Sequence, residues 1–384
     1  MVTLSQACEG GEKQWYASKL ELQLTSLEFC RACRSVPTLA VTIKDRTPPG
    51  LWSPKTTQTS SNTHSSKVHI SSRVPALRAL RLTWGLPMEV LVQSAAIELW
   101  KWSRILLLRG SVDSASLKSV GWPPGLKQLV LGGGFNQSIA GVAWPVSLLQ
   151  LSFGGHFNQP ITGVVWPASL QQLSFRHDFN QPITGVVWPA ALRKLWFGIY
   201  FNQPITGVEW PGSLQQLVFG ERFNQTITGV EWPGSLQLLS FGYIFNQPII
   251  GVVWPASLQQ LSFGYRFNQP ITGVVWPGSL QQLSFGRIFN QPITGVVWPT
   301  SLQQLSFGYR FNQPITGVVW PGSLQQLSFG RIFNQPITGV VWPTSLQQLV
   351  FGEERCGSRF DQPTDGVEWP ASLRTATRAG ISLL

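Results

Sequence analysis

The sequence is poor in cysteine, methionine and charged residues. Its 384 residues include four cysteines and two methionines, and 12% of them are charged. Cys8, Cys30, Cys33 and Cys356 are too few for a disulfide framework in a chain of this length. The lone pair of Cys30 and Cys33 lacks the second pair of ligands that a zinc site needs. We therefore expect neither a metal nor any other cofactor.

Long apolar runs and catalytic motifs are absent too. No apolar stretch reaches the length of about 18 residues that a membrane span needs, and Met1–Gly11 lacks the pattern of a signal peptide. We therefore expect a cytoplasmic protein. No nucleophile motif, phosphate-binding loop or pair of carboxylates occurs. His156, His177 and Asp178 occupy variable positions, which indicates exposed residues, so the sequence predicts no enzyme and no small-molecule substrate.

The net charge of +11 is concentrated in the first third of the chain. Before Pro123 there are 15 lysines and arginines against 8 acidic residues. Contact of this segment with nucleic acid or an anionic membrane is one interpretation. A solvated tail explains the excess more simply, and we favour it.

One motif of 22 residues recurs through the C-terminal two thirds of the chain. We number its positions 1 to 22 from Leu258 to Ser279, where it reads LQQLSFGYRFNQPITGVVWPGS. A fixed period of this length is typical of a solenoid, in which each coil packs only on its neighbours. Residues 257–300 and 301–344 are identical, so the array has grown by copying two coils together. Asparagine keeps position 11 at Asn136, Asn158, Asn180, Asn202, Asn224, Asn246, Asn268, Asn290, Asn312 and Asn334.

The pattern within the motif favours strands over helices. Positions 3 to 7 (Gln260–Gly264) alternate polar and apolar residues, which predicts a strand with one buried face. Proline at positions 13 and 20 and glycine at 7 and 16 exclude a helix from the regular coils. Stacked coils then form a parallel sheet, and the fold class is an all-β, right-handed solenoid of about eleven coils. We expect the asparagines to form a buried structural ladder that bonds the backbone of the next coil.

The recurring residues resemble the FNIP repeat, a 22-residue relative of the leucine-rich repeat. The name describes a Phe-Asn-x-Pro core, here Phe267 to Pro270, and the resemblance extends from Leu126 to about Leu373. It implies a leucine-rich-repeat-like solenoid with a role in protein interaction. Members often carry an N-terminal F-box that recruits a ubiquitin ligase. No F-box is recognisable in this sequence.

Positions 8 and 9 vary most between coils and hold tyrosine and arginine, which are favoured in protein interfaces. We expect this row to contact a protein partner and the protein to act as a monomeric, non-enzymatic scaffold. The competing row is the outward face of the sheet, where Trp196 would stand exposed among glutamines and serines. The candidate partner-binding residues are Tyr200, Arg222, Tyr265, Arg266, Arg287, Tyr309, Arg310 and Arg331, with Trp196 on the sheet face.

A different function is suggested by position 15, which is threonine in most coils. A regular row of threonines favours a structural protein that binds a carbohydrate or an ordered surface such as ice. The row consists of Thr162, Thr184, Thr206, Thr228, Thr272, Thr294, Thr316 and Thr338.

The sequence divides into four segments. Residues 1–44 have an uncertain, irregular or partly helical fold, and residues 45–72 are rich in Ser, Thr and Pro and predict a disordered linker. Residues 73–125 read as degenerate capping coils with a possible helix at Met88–Trp102. Residues 126–384 form the solenoid and its C-terminal cap.

Overall fold

The computed structural model describes residues 6–9, 12–17, 38–43, 79–84, 103–108, 114–352 and 357–383. The segments predicted as a linker (45–72) and as a helix (Met88–Trp102) lie outside these residues. The chain divides into two compact units. The first comprises residues 1–159 and 164–170, and the second comprises residues 160–163 and 171–384.

The described residues of the first unit form seven strands and one short helix. β1 and β2 pair antiparallel, and each later strand pairs parallel with the one before it. The short helix, α1, spans Ser114–Ser119 and had no counterpart in the sequence prediction. The strands are β1 (Gln6–Glu9), β2 (Glu12–Ala17), β3 (Thr38–Ile43), β4 (Ala79–Trp84), β5 (Ser103–Leu108), β6 (Gln128–Leu131) and β7 (Gln150–Ser152).

The second unit is a stack of parallel strands, one per coil, with a hairpin at its end. Neighbouring strands pair residues 22 apart, as in Leu261 with Leu283. β17 and β18 pair antiparallel and close the last coil. The strands are β8 (Gln172–Ser174), β9 (Lys194–Trp196), β10 (Gln216–Val218), β11 (Leu238–Ser240), β12 (Gln260–Ser262), β13 (Gln282–Ser284), β14 (Gln304–Ser306), β15 (Gln326–Phe329), β16 (Gln348–Phe351), β17 (Thr375–Arg378) and β18 (Ile381–Ser382).

The regular coils therefore form a parallel β-solenoid with a 22-residue period and about eleven coils, which confirms the predicted fold class. The strands are shorter than predicted. They cover positions 3 to 5, as in Gln260–Ser262, instead of 3 to 7. The cause is a turn that begins at position 7, where the carbonyl of Gly264 accepts a hydrogen bond from the Phe267 amide at 3.2 Å. No helix occurs among the described residues of the regular coils.

Seven apolar positions per coil build the core. In the coil that starts at Leu258 they are positions 1, 4, 6, 10, 14, 17 and 19, all at most 7% exposed. Phe263 and Phe267 stack at 4.1 Å within the coil, and Phe263 stacks on Phe285 of the next coil at 5.8 Å. Tryptophans at position 19 stack likewise, 6.4 Å apart for Trp254 and Trp276. Since an aromatic side chain buries about 150–250 Å², stacking the coils removes an apolar surface that one coil alone would expose.

Two glycines recur in most coils for reasons of backbone geometry, although Arg176 occupies the first of these positions in one coil. A Cβ atom at Gly264, position 7, would overlap the carbonyl oxygen of Gly242 in the preceding coil. Gly273, position 16, has φ +84°, a left-handed conformation that side chains with a Cβ rarely adopt. These two positions let the coils approach closely and turn back.

The asparagine row is a ladder that joins successive coils. The Asn290 amide donates to Oδ1 of Asn268 at 2.8 Å, and the same bond recurs along both units. The predicted burial was wrong, because most of these asparagines are half-buried and Asn136 is exposed. Gln291 adds a bond that the sequence did not suggest, from its Nε2 to the Asn268 carbonyl at 3.0 Å.

The second unit curves around its sheet. Phenylalanines at position 6 in neighbouring coils have ring centroids 5.6–5.9 Å apart, for example Phe285 and Phe307 at 5.6 Å. Tryptophans at position 19, on the opposite side of the coil, are 6.3–6.4 Å apart. Because the rows spread with distance from the sheet, the sheet lies on the inner, concave side of this unit.

Candidate interaction surface

Positions 8 and 9 lie at the corner of a tight turn on the edge of each coil. The turn is closed within the coil by the bond between positions 7 and 10 described above. The amide at position 9 also donates to the carbonyl at position 8 of the preceding coil, as from Arg266 to Tyr243 at 2.9 Å and from Arg310 to Arg287 at 2.8 Å. These bonds fix the backbone, so the side chains at positions 8 and 9 stand in a regular row.

The tyrosines and arginines of this row contact one another. Tyr243 and Tyr265 stack at 4.4 Å. The Arg287 guanidinium then lies between two rings, 5.5 Å from the centroid of Tyr265 and 4.3 Å from that of Tyr309. Arg331 follows on the far face of the stack, 5.8 Å from Tyr309. These residues all occupy position 8, so five successive coils contribute to one stack of aromatic rings and cations.

The same edge holds every charged side chain in the middle of the second unit. Residues 232–352 contain no aspartate, glutamate, lysine or histidine, and their four arginines are Arg266, Arg287, Arg310 and Arg331. Three of the four are exposed and Arg331 is half-buried. We call this surface the arginine edge, and it consists of Tyr243, Tyr265, Arg266, Arg287, Tyr309, Arg310 and Arg331.

Two of the predicted contact residues lie outside the arginine edge, nearer the start of the second unit. The Arg222 guanidinium lies over the ring of Tyr200 at 4.6 Å, as one separate cation–aromatic pair. Glu221 precedes Arg222 at position 8, so the charge is locally balanced there. The structure thus places six of the nine predicted residues on the arginine edge and leaves this pair and Trp196 apart from it.

A groove lies over the concave face of the second unit, with a volume of about 560 Å³. Its walls come from β10 to β16, mainly the glutamines at position 3 and the serines at position 5, such as Gln282 and Ser284. The glutamine amides of this row make no side-chain hydrogen bonds to one another within the described coils. Trp196 was predicted to stand exposed on this face; it is half-buried and pairs in register with Val218, where the groove begins.

The back of the second unit presents a third surface. Valine at position 18 is 80–82% exposed in five successive coils: Val253, Val275, Val297, Val319 and Val341. The threonines at position 15, such as Thr294, are exposed as well. An exposed apolar row therefore lies three positions after the predicted threonine row in the motif. This valine row was not predicted from the sequence.

The repeat array contains two histidines, a residue type that often serves in catalysis and metal binding. His156 and His177 are exposed and belong to different units. Among the described residues no group of three histidine, cysteine, aspartate or glutamate side chains could hold a metal. None of the helices in the described part of the chain is long and apolar enough to cross a membrane.

Comparison with solved structures identifies a structural relative of this chain. The structure resembles the crystal structure of CroV588, described as a novel circular LRR protein, with 29% sequence identity and a TM-score of 0.58. The alignment covers 96% of this chain and 63% of CroV588, so the chain spans less than two thirds of that protein. A search of curated proteins found no match.

The family model of the FNIP repeat matches five segments: 157–200, 201–244, 245–288, 289–332 and 311–354. Together they extend without a gap from Phe157 to Glu354, which is more than half of the chain. The coil that starts at Leu258, its core residues and its glycines fall within these segments, as do all asparagines of the ladder except Asn136. The chain therefore belongs to the FNIP repeat family.

Proposed function

We propose that this protein is a non-catalytic scaffold that binds a protein partner along the arginine edge. The observation that supports this best is the stack of Tyr265, Arg287, Tyr309 and Arg331. The stack holds long side chains in place before any partner arrives, which lowers the entropy lost on binding. Tyrosine and arginine are also the residue types that dominate binding energy in interfaces.

The repeat architecture supports the same function. Each coil offers the same short edge, so a partner that spans several coils makes several weak contacts at once. A leucine-rich-repeat-like solenoid supplies a rigid surface that repeats from coil to coil. We therefore assign recognition, without bond making or breaking, as the activity.

Photo-crosslinking from chosen positions tests this proposal. A photoreactive residue replaces Ile288, which adjoins Arg287 on the edge. Matched variants place it at Gln260 on the concave face and at Val275 on the back. We expect one cellular protein to be crosslinked from Ile288 and not from Val275. Crosslinking from Gln260 alone would move the contact to the groove, and labelling from all three positions alike would contradict a specific site.

A multiple substitution gives a second test. The variant Tyr265→Ala, Arg266→Ala, Tyr309→Ala and Arg310→Ala should lose the partner in an affinity capture. Because both tyrosines belong to the stack, we expect its melting temperature to fall slightly. A variant that captures the partner as well as the parent would contradict the proposal, provided it remains folded.

A second candidate function is binding to an ordered or carbohydrate surface, which the exposed valines and threonines of the back favour. Retention of the protein on an insoluble polysaccharide or on ice tests it. If the back is the contact surface, Val275→Lys together with Val319→Lys should abolish retention, while the edge variant above should be retained.

A further inference from the structure

The arginine edge lies in a stretch of the chain that contains no acidic residue, between Glu231 and Glu353. From residue 232 to residue 352 the four arginines are the only charged side chains. None of them forms an ion pair with another of the described residues, and each comes from a different one of four successive coils. The surface thus presents one guanidinium per coil in an otherwise uncharged stretch.

The stack restricts how these guanidinium groups can bind. Arg266, Arg287 and Arg331 lie over tyrosine rings at 6.0 Å or less. A guanidinium that lies over a ring keeps its N–H donors at its perimeter, where they can reach a ligand. Planar forks of this kind match a carboxylate with two parallel hydrogen bonds. The edge is therefore suited to a row of anionic groups, each of which faces the N–H donors of one arginine.

We propose that the arginine edge binds an extended acidic segment of a protein partner. Successive members of the stack on the edge are 4.3–5.8 Å apart, measured between ring centroids or from the guanidinium carbon to a ring centroid. In an extended chain, residues on the same side repeat about every 6.6–6.8 Å. A peptide with an acidic residue at every second position offers its carboxylates at a somewhat wider spacing than the coils, and the long glutamate and arginine side chains can reach across the difference.

The same observations favour a peptide over a single-stranded nucleic acid. Sequence-tolerant binding of single strands uses free aromatic faces on which bases stack. Here both faces of Tyr309 are occupied, by Arg287 and Arg331, and Tyr265 lies between Tyr243 and Arg287. The tyrosines support the arginines and leave no platform for bases. This inference rests on the proposed function and adds the chemistry of the partner.

Fluorescence anisotropy with labelled peptides and the full-length protein tests the inference. The probe is a peptide that alternates glutamate and serine, and its control has glutamine in place of glutamate. We expect binding of the acidic peptide, at least about tenfold weaker binding of the control, and weakening with salt. Equal binding of the two peptides, or binding of neither, overturns the inference. Preferential binding of a labelled oligothymidylate overturns it in favour of nucleic acid.

Arginine variants locate the binding on the protein. Arg287→Gln together with Arg331→Gln removes two charges and keeps the tyrosines, and we expect about tenfold weaker binding of the acidic peptide. Arg287→Lys keeps the charge without the fork and should bind less tightly than the parent. Arg374→Gln, an exposed arginine near the C-terminal hairpin, is the matched control and should bind normally. Equal losses in all variants would overturn the assignment to the edge.

The two proposals fail in different ways. If the acidic peptide does not displace the partner that is crosslinked from Ile288, the edge is a binding surface. The proposal that it binds an acidic segment is then wrong. A different result is that no partner is crosslinked from the edge, while the acidic peptide binds there and Arg287→Gln weakens its binding. The edge then recognises anionic groups, and the proposed scaffold function is wrong. Should the double arginine variant not fold, the comparison of glutamate and glutamine peptides on the parent protein still decides.

Discussion

At the scale of single residues, glycines that look alike in the sequence have different roles. Gly264 and Gly278 occupy positions 7 and 21 of one coil. A Cβ at Gly264 would overlap the carbonyl of Gly242, whereas a Cβ at Gly278 meets nothing within 4 Å. The backbone of the preceding coil thus disfavours a side chain at Gly264 and leaves Gly278 replaceable.

We predict that Gly264→Ala strongly destabilises the protein and that Gly278→Ala does not. The first substitution forces the two coils apart at the turn, which should cost about 3 kcal/mol or more. The second should change the free energy of unfolding by less than about 1 kcal/mol, because it only restricts the unfolded chain. Denaturant unfolding of the two variants measures the difference. Similar midpoints for both would show that the coils can separate at position 7 without penalty.

The asparagine ladder allows a second comparison at this scale. Asn268→Ala removes the acceptor of the Asn290 amide, whereas Gln260→Ala removes an amide that bonds no side chain. Because Asn268 is half-buried and water can partly replace it, we expect a loss of about 1 kcal/mol for the first variant and almost none for the second. Equal shifts of the denaturant midpoint would contradict the ladder.

At the scale of the coil, the turn at positions 7 to 10 couples each coil to its neighbour through side chains as well as backbone. Arg287 and Tyr309 lie in successive coils and contact each other at 4.3 Å. The edge that is offered to a partner therefore also contributes to folding.

We predict a measurable coupling between Arg287 and Tyr309. Both are substituted by alanine, singly and together, and the free energy of unfolding is determined for all four proteins. The coupling energy should be about 0.5–1 kcal/mol, as for partly exposed cation–aromatic pairs. The pair Arg310 and Tyr265, two coils apart, serves as control and should show additive effects. Additivity in both pairs would mean that the stack contributes nothing to stability.

The sequence predicted the coils and their core because a 22-residue period places identical positions above one another. Leu261, Phe263 and Trp276 were assigned correctly to the interior from their alternation and recurrence. The strand length was wrong, since the turn bond at Gly264 ends the strand and alternation cannot show where a backbone bond forms. The stack at position 8 was missed, although its signal is present: tyrosine and arginine follow one another there at the same 22-residue spacing as the core phenylalanines.

At the scale of the whole molecule, the identical segments 257–300 and 301–344 make the length of the array an experimental variable. Removing residues 257–300 joins Ala256 to Ser301, and the chain that follows has the same sequence as before. The new junction therefore reproduces native contacts, with Tyr309 taking the place of Tyr265 beside Tyr243. Since each coil of a solenoid packs only on its neighbours, the shortened protein should fold.

We predict that this deletion lowers stability slightly and acidic-peptide binding strongly. The slope of the free energy of unfolding against denaturant concentration should decrease, because the shortened protein exposes less surface when it unfolds. The decrease should correspond to the surface that two coils bury. The deletion halves the number of arginines on the edge, which should weaken binding of the acidic peptide by about tenfold. The matched variant inserts a further copy of residues 257–300, adds two arginines and should bind more tightly than the parent. If affinity does not follow the number of coils in these two variants, the peptide contacts a single coil, and the repetition of the edge serves folding rather than recognition.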